Sequence, residues 1–304
     1  MTLINIFHMD IFNLGLNDFF VIKNILYMLF RRIQLPNKPL VISSLGDSIY
    51  IGDARGYVYE MKPPYITPMV IFQSPGPVSA LAIGKQVYYG NWDGDVGIVG
   101  GRKINLGNQI VKCMAIHKGR IYVSVGLMIY SLTLGLEIEC SYEVKHKVLC
   151  MSDFQGSIYC GMGVPFLLRI HNGVEIIGRS LHDTSIFCIC GEYTGSADGR
   201  VLRQDYSDLD NAEEIYKGDS WIRSMYNQYL FSDGRSVMAD LDKLKGNGGG
   251  GIKPIYSHEE DVVGVVKVGG KIISIGLDYC YCVFEITPSL SIEEEMEIAE
   301  LMNG

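Results

Sequence analysis

The 304 residues carry 26 Lys and Arg against 34 Asp and Glu, a formal charge of −8 at neutral pH. A dedicated nucleic-acid binder would show a basic excess, so that class is disfavoured. Hydrophobic residues make up 48% of the chain, enough for a sizeable core and too many for a wholly disordered protein.

The chain opens on MTLINIFHMDIFNLGLNDFFVIKNILY, residues 1–27, rich in Ile, Leu, Phe and Asn. Asp10, Asp18 and Lys23 break it before any run reaches the roughly 18 to 20 apolar residues a membrane span needs. It lacks the basic start and the small-residue cleavage site of a signal peptide. No transmembrane segment is expected. Two readings stay open: an apolar arm that packs on the body or a partner, or an extension upstream of a true start at Met28.

From residue 28 onwards one pattern recurs. The strand-like hairpins are SIYIGDARGYVYEM from Ser48, QVYYGNWDGDVGIV from Gln86, RIYVSVGLMIYSL from Arg120 and SIYCGMGVPFLLRI from Ser157. EYTGSADGRVLRQD from Glu192, QYLFSDGRSVMADL from Gln228 and KIISIGLDYCYCVF from Lys271 follow. Aligned on their turns, Tyr50, Tyr88, Tyr122, Tyr159, Tyr193, Tyr229 and Ser274 correspond, at spacings of 38, 34, 37, 34, 36 and 45 residues. The last spacing is stretched by KGNGGGG, Lys245 to Gly251. An apolar run precedes each hairpin (LVISS, VSALAI, IVKCMAI, VLCMS, SIFCIC, WIRSMY, VVGVVKV), and a short fourth segment such as MVIFQS, EEIYKG or KPIYSH follows most of them. Four strands at such a period, joined by tight turns, are the pattern of a β-propeller blade. Asp-Gly turns suit it, because a tight hairpin needs positive φ that Gly and Asp tolerate. No helical pattern separates the strands, so a parallel βαβ architecture is disfavoured.

The seventh unit has three strands and then runs into TPSLSIEEEMEIAELMNG, which is not strand-like. The missing strand is predicted at Leu29 to Leu35, where MLFRRIQLPNKPLVISS repeats the layout of a fourth strand, a polar loop and a first strand. The expected fold is all-β: a seven-bladed propeller of four-stranded antiparallel blades over 28–290, closed by an N-terminal strand in the last blade. An apolar extension, 1–27, precedes it, and a short acidic helix, 291–304, follows.

At this point the chain resembles the WD40-repeat family. GSADGRVLRQD, Gly195 to Asp205, looks like that family's strand–Asp-Gly–strand signature, with GNWDGDVGIV and FSDGRSVMADLD as weaker relatives. No Gly-His pair precedes any blade and no Trp-Asp closes a third strand, so the family's Asp-His-Ser-Trp hydrogen-bond network is expected to be missing. The resemblance implies membership of a multiprotein assembly.

Candidate chemistry is sparse. Eight cysteines lie in apolar runs, which fits reduced thiols in an intracellular protein, cytoplasmic or nuclear. Cys188-x-Cys190 and Cys280-x-Cys282 fall in different units and read as small buried hydrophobes, not as a metal site. His146, His182 and His258 precede new blades and read as loop structure. The glycine run at 246–251 lacks the Lys-Ser/Thr of a P-loop and reads as a surface loop. Ser291 and Glu294 form a capping box for a tail helix that sets Ile298, Leu301 and Met302 on one face, either to dock on the propeller's own side or to serve as a handle for a partner. On the channel-mouth face, partner-binding candidates are Trp92 and Trp221, with Arg55, Met128, Phe166, Arg200, Arg235 and Tyr279 at the hairpin tips.

The expected function is a non-enzymatic scaffold without a cofactor, binding one or more proteins of a larger assembly at the channel mouth. One rival is a propeller hydrolase of the diphthine methylesterase type, which LHDTSIFCICGEYTGSADGRVLRQD loosely resembles and which would need Ser185 and His182 as nucleophile and base. Another is an RNA-contacting assembly factor, which would need Arg55, Lys147, Arg200, Arg223 and Arg235 to cluster.

Overall fold

A computed structural model of the chain describes residues 18–20, 28–171, 173–246 and 251–286. Seven antiparallel sheets follow one another in a ring. Blade 1 is built from Pro39–Leu45, Ser48–Asp53, Tyr57–Met61 and Met69–Gln73. Blades 2 to 6 occupy residues 78–105, 111–143, 148–179, 186–217 and 225–257. Blade 7 takes Val262–Val268, Lys271–Gly276 and Cys280–Ile286. Its fourth strand is Met28–Gln34, paired from Met28 opposite Ile286 to Gln34 opposite Cys280. The predicted closing strand is therefore present, one residue earlier than expected at each end. Asp18–Phe20 adds a fifth strand beside it. First strands of successive blades touch one another, including blade 7 against blade 1, so they form the innermost layer of a closed ring. The predicted tail helix, with Ile298, Leu301 and Met302, lies outside the described residues.

One expectation about local structure is corrected. WIRSMY was expected to be a whole strand, but blade 6 has only Met225–Asn227 there. The N–H groups of Arg223 and Ser224 turn to the Ser232 hydroxyl, both at 3.1 Å, and that side chain replaces the missing ladder. The insertion after blade 6's third strand begins as a short helix, Leu241–Lys245, capped by the Asp240 carboxylate on Lys243 N–H and ended by Gly246 at positive φ.

The blades pack through a repeated close approach. Val78, Val111, Val148, Ile186, Ile222 and Val262 stand at the start of successive first strands, or in Ile222's case just ahead of one, and all are fully buried. Opposite four of them, in the preceding blade, stand Gly52, Gly90, Gly161 and Gly195, where a Cβ would come within 3 Å of the branched side chain. Where blade 3 has Ser124 instead, its hydroxyl donates to the Val148 carbonyl at 3.1 Å. The cysteines join the same contact: Cys150 and Cys188 donate to the carbonyls of Ile186 and Ile222 at 3.6 and 3.5 Å. Burial pushes the Cys150 thiol up to about 12 and the Cys188 thiol well above its ordinary value. These groups are thus protonated donors between blades, beyond the apolar packing expected of them.

The expectation of a missing histidine network is overturned in two blades. His182 sets Nδ1 3.1 and 3.2 Å from the two Asp198 oxygens and Nε2 2.9 Å from the Thr194 hydroxyl. With Nδ1 protonated toward the carboxylate, Nε2 accepts from Thr194, whose oxygen accepts from Gln204 Nε2 at 2.7 Å. Gln204 supplies the donor where the family has tryptophan. In blade 7, His258 does the same with Asp278 at 3.0 and 3.2 Å and with Ser274 at 2.8 Å. Both imidazoles are buried. The sequence signal was hidden because Leu and Ser, not Gly, precede these histidines.

Burial acts to raise the Asp198 and Asp278 carboxyls. Hydrogen bonds from the histidine and from backbone N–H groups outweigh it, and both groups sit below the usual carboxylate range. Their contribution to stability is therefore complete above the unfolded Asp value of about 3.9 and is lost as pH falls toward the lower folded value. Unfolding in urea should show stability that declines below about pH 4, with Asp198→Asn and Asp278→Asn each costing about 2 kcal/mol at neutral pH and flattening the acid limb. An unchanged acid limb in the double variant would show that other groups govern it. At the blade contact, Gly90→Ala should cost about 1 to 3 kcal/mol by the same measurement. A cost below about 0.5 kcal/mol would mean that blades 2 and 3 can move apart freely.

Candidate interaction face at the channel mouth

The central turn of each blade and the loop leading into the next are held together by the same hydrogen bond. The residue after the fourth strand donates its N–H to a turn carbonyl in all seven blades: Ser74 to Gly56, Leu106 to Gly94, Val144 to Leu127, Ser180 to Pro165, Gly218 to Gly199, His258 to Arg235 and Leu35 to Tyr279. Turns and connecting loops thus form one face. Local chemistry fixes the turns themselves. Asp53 Oδ1 accepts from the N–H groups of Arg55 and Tyr57 at 2.8 Å, and Asn91 Oδ1 does so from Asp93 and Asp95 at 3.0 and 2.9 Å. Gly94 and Gly199 follow at φ +80° and +78°, where a Cβ would also strike a carbonyl of the connecting loop.

The sequence-predicted residues all lie on or beside this face, with unequal freedom. Trp92, in the blade 2 turn, is 45% exposed, and Trp221, in the loop before blade 6, is 47% exposed. Trp221 therefore does not point into the core between sheets. Arg55, Arg235 and Tyr279 are exposed at their turns. Met128 and Phe166 open third strands opposite Glu143 and Arg179 and are half-buried at the rim. Arg200 is committed to its own blade: it binds the Asp198 carboxylate through Nε and Nη2, the Leu181 carbonyl at 2.7 Å and Asp183 at 2.9 Å.

Phe187 and Arg223 complete a cluster that the sequence reading did not assemble. The Phe187 and Trp221 rings lie 5.5 Å apart. The Arg223 guanidinium sits 4.5 Å from the Trp221 ring centre and 5.8 Å from that of Phe187, within cation–π range. Its Nη2 pairs with Asp261 at 3.0 Å. First strands of six blades slip register just after their opening residue, and Phe187 is the extra residue of such a bulge in blade 5. Ile110, Leu127 and Leu181 are further exposed apolar residues in these turns and loops. An aliphatic side chain inside a predicted turn or loop is the signal that marks them in the sequence.

The rival chemistries meet specific obstacles. His182 directs both ring nitrogens to Asp198 and Thr194, while the Ser185 hydroxyl donates to the Gly163 carbonyl at 3.0 Å, so the two do not form a nucleophile–base pair. The five cations of the RNA reading are spread over blades 1, 4, 5 and 6, and two of them, Arg200 and Arg223, are ion-paired. Among the described residues, no group of three or more His, Cys, Asp or Glu is placed to hold a metal, and no helix is long and apolar enough to cross a membrane.

No protein-family model matches the sequence, and no curated protein resembles it. Solved structures do. The WD40 β-propeller domain of Doa1 superposes with a TM-score of 0.70 at 12% identity, covering 84% of this chain and 96% of that one. The RRP9 WD40 repeats give 0.66 at 10% identity, covering 85% and 97%. The computationally designed Ika8 protein gives 0.56 at 13%, covering 83% and 98%. With seven four-stranded blades and two histidine networks tying loop to turn, the chain has the fold of a WD40-type seven-bladed β-propeller.

Proposed function

We propose that this chain is a non-enzymatic interaction platform that binds one or more proteins of a larger assembly at its channel-mouth face, without a cofactor. The observation that carries the reading is where exposed apolar surface collects. Among the described residues, six of the thirteen exposed large hydrophobic side chains, Trp92, Ile110, Leu127, Leu181, Trp221 and Tyr279, belong to the central turns and blade-connecting loops. These segments have no folding reason to expose tryptophan, and both tryptophans of the chain are there. Aromatic residues held on a rigid surface dominate binding energy because they desolvate large areas at little entropic cost. Thiols kept as reduced donors fit work in the cytoplasm or nucleus. The likeness in fold to WD40 domains agrees with a binding role and does not choose a partner.

Quantitative mass spectrometry of proteins co-purifying with the tagged chain and with a folded Trp92→Ala/Trp221→Ala variant tests this. A subset of stable partners should fall at least about tenfold in recovery with the variant, as loss of a hot-spot aromatic predicts. If nothing stable co-purifies with either protein, the platform reading is wrong.

A further inference from the structure

The exposed charges of the channel-mouth face are divided. In the central turns and connecting loops of blades 5, 6 and 7, the exposed charged residues are Asp183, Asp219, Glu259 and Glu260 against Arg235 alone. In those of blades 1 to 4 they are Arg55, Lys145 and Lys147 against Asp93. The acidic half also holds Leu181, Trp221 and Tyr279, so apolar and anionic surface coincide there.

We propose that the acidic half of this face is the docking surface for a cationic, amphipathic segment of a partner protein, whose Lys or Arg side chains lie against Trp221 and the surrounding carboxylates. This rests on the platform reading above and names the partner's chemistry. The chain itself shows how such a group is held. Its own Arg223 stacks on Trp221 at 4.5 Å and ion-pairs with Asp261 at 3.0 Å, using a guanidinium, an aromatic ring and a carboxylate together. Trp221 nevertheless stays 47% exposed, so much of the ring is left for a second cation. The carboxylates remain accessible: Asp219 lies two residues before Trp221, Asp183 has a side chain 79% exposed despite its contact with Arg200, and Glu259 and Glu260 stay 55% and 53% exposed beside Arg32 and Lys38. Apolar side chains of the same segment would cover Leu181 and Tyr279. A nucleic acid fits this half poorly, because its phosphates would meet the four carboxylates. Complementary charge of this kind sets both partner choice and association rate.

The test uses the full chain and a labelled peptide of about 12 residues in which Lys and Leu are placed to form an amphipathic helix, with a Glu-for-Lys counterpart and a single-stranded RNA oligomer beside it. Fluorescence anisotropy at physiological salt should show saturable binding of the Lys peptide only. Two variants, Trp221→Ala and the set Asp183→Asn/Asp219→Asn/Glu259→Gln/Glu260→Gln, should each weaken it at least about tenfold. The set Arg55→Gln/Lys145→Gln/Lys147→Gln should change it less than about twofold. Circular dichroism confirms that each variant folds. Equal binding of the Glu peptide, tighter binding of the RNA, or loss in neither of the first two variants would overturn the proposal. If co-purifying partners depend on the tryptophans but not on the four carboxylates, the platform reading stands and this one falls; if no partner depends on the tryptophans, both fall.

Discussion

Everything in this ring hangs on one close contact, repeated from blade to blade. At four junctions a branched residue opening one blade presses on a glycine of the blade before it that has no room for a Cβ, a serine takes that place in blade 3, and nearby Ser or Cys groups donate to the branched residue's carbonyl. The contact is buried and central, so its dimensions set the spacing of the innermost strands. A residue one methyl larger would push two blades apart at their narrowest point, and the ring has no free end through which to relieve the strain. This explains why small residues recur there as Gly52, Gly90, Gly161 and Gly195, while the outer strands vary freely. It also gives the cysteines a role: a thiol is small enough for the site, apolar enough to be buried, and still able to donate.

The repeat made the architecture legible. Period, turn residues and the incomplete seventh unit together implied both the blade count and the closing strand, because strand alternation and turn chemistry are local properties written in consecutive residues. The failures were of a different kind. Tyr229, aligned as a strand residue, precedes the strand Leu230–Asp233, since blade 6 turns one residue later relative to it. The histidine networks are invisible to a search for Gly before His, because the residues that matter lie 16 and 20 positions further on as Asp198 and Asp278. Gln204 was unreadable as a stand-in for tryptophan, because equivalence there depends on donating to Thr194 and not on size or hydropathy. Sequence reasoning handled what is periodic and missed what is a substitution of one donor for another.

The same limit applied to the candidate face. Placing Trp92 and Trp221 on one side followed from topology. That Arg200 is enclosed by Asp198, Asp183 and Leu181 while Arg235 stands exposed did not, because both follow an Asp-Gly turn and look alike in sequence. Nor could the Phe187–Trp221–Arg223 stack be seen, since it joins two blades through a bulge that frees one residue of a strand from its ladder.

Closure and the face are coupled at blade 7. The strand that seals the ring, Met28–Gln34, does not stop at the sheet. Arg32 ion-pairs with Glu259 and Asp278 at 2.8 and 3.3 Å, Leu35 N–H donates to the Tyr279 carbonyl at 2.7 Å, and Lys38 reaches Glu260 at 3.4 Å. Two of the exposed carboxylates on the acidic half are therefore tethered, Glu259 by the closing strand itself and Glu260 by the stretch that joins it to blade 1. Loosening that strand would release cations from Glu259 and Glu260 and free the His258–Asp278 loop at once. A seal built this way makes the geometry of the acidic half a consequence of whether the ring is shut, so ring closure and the arrangement of these loops are one structural condition and not two.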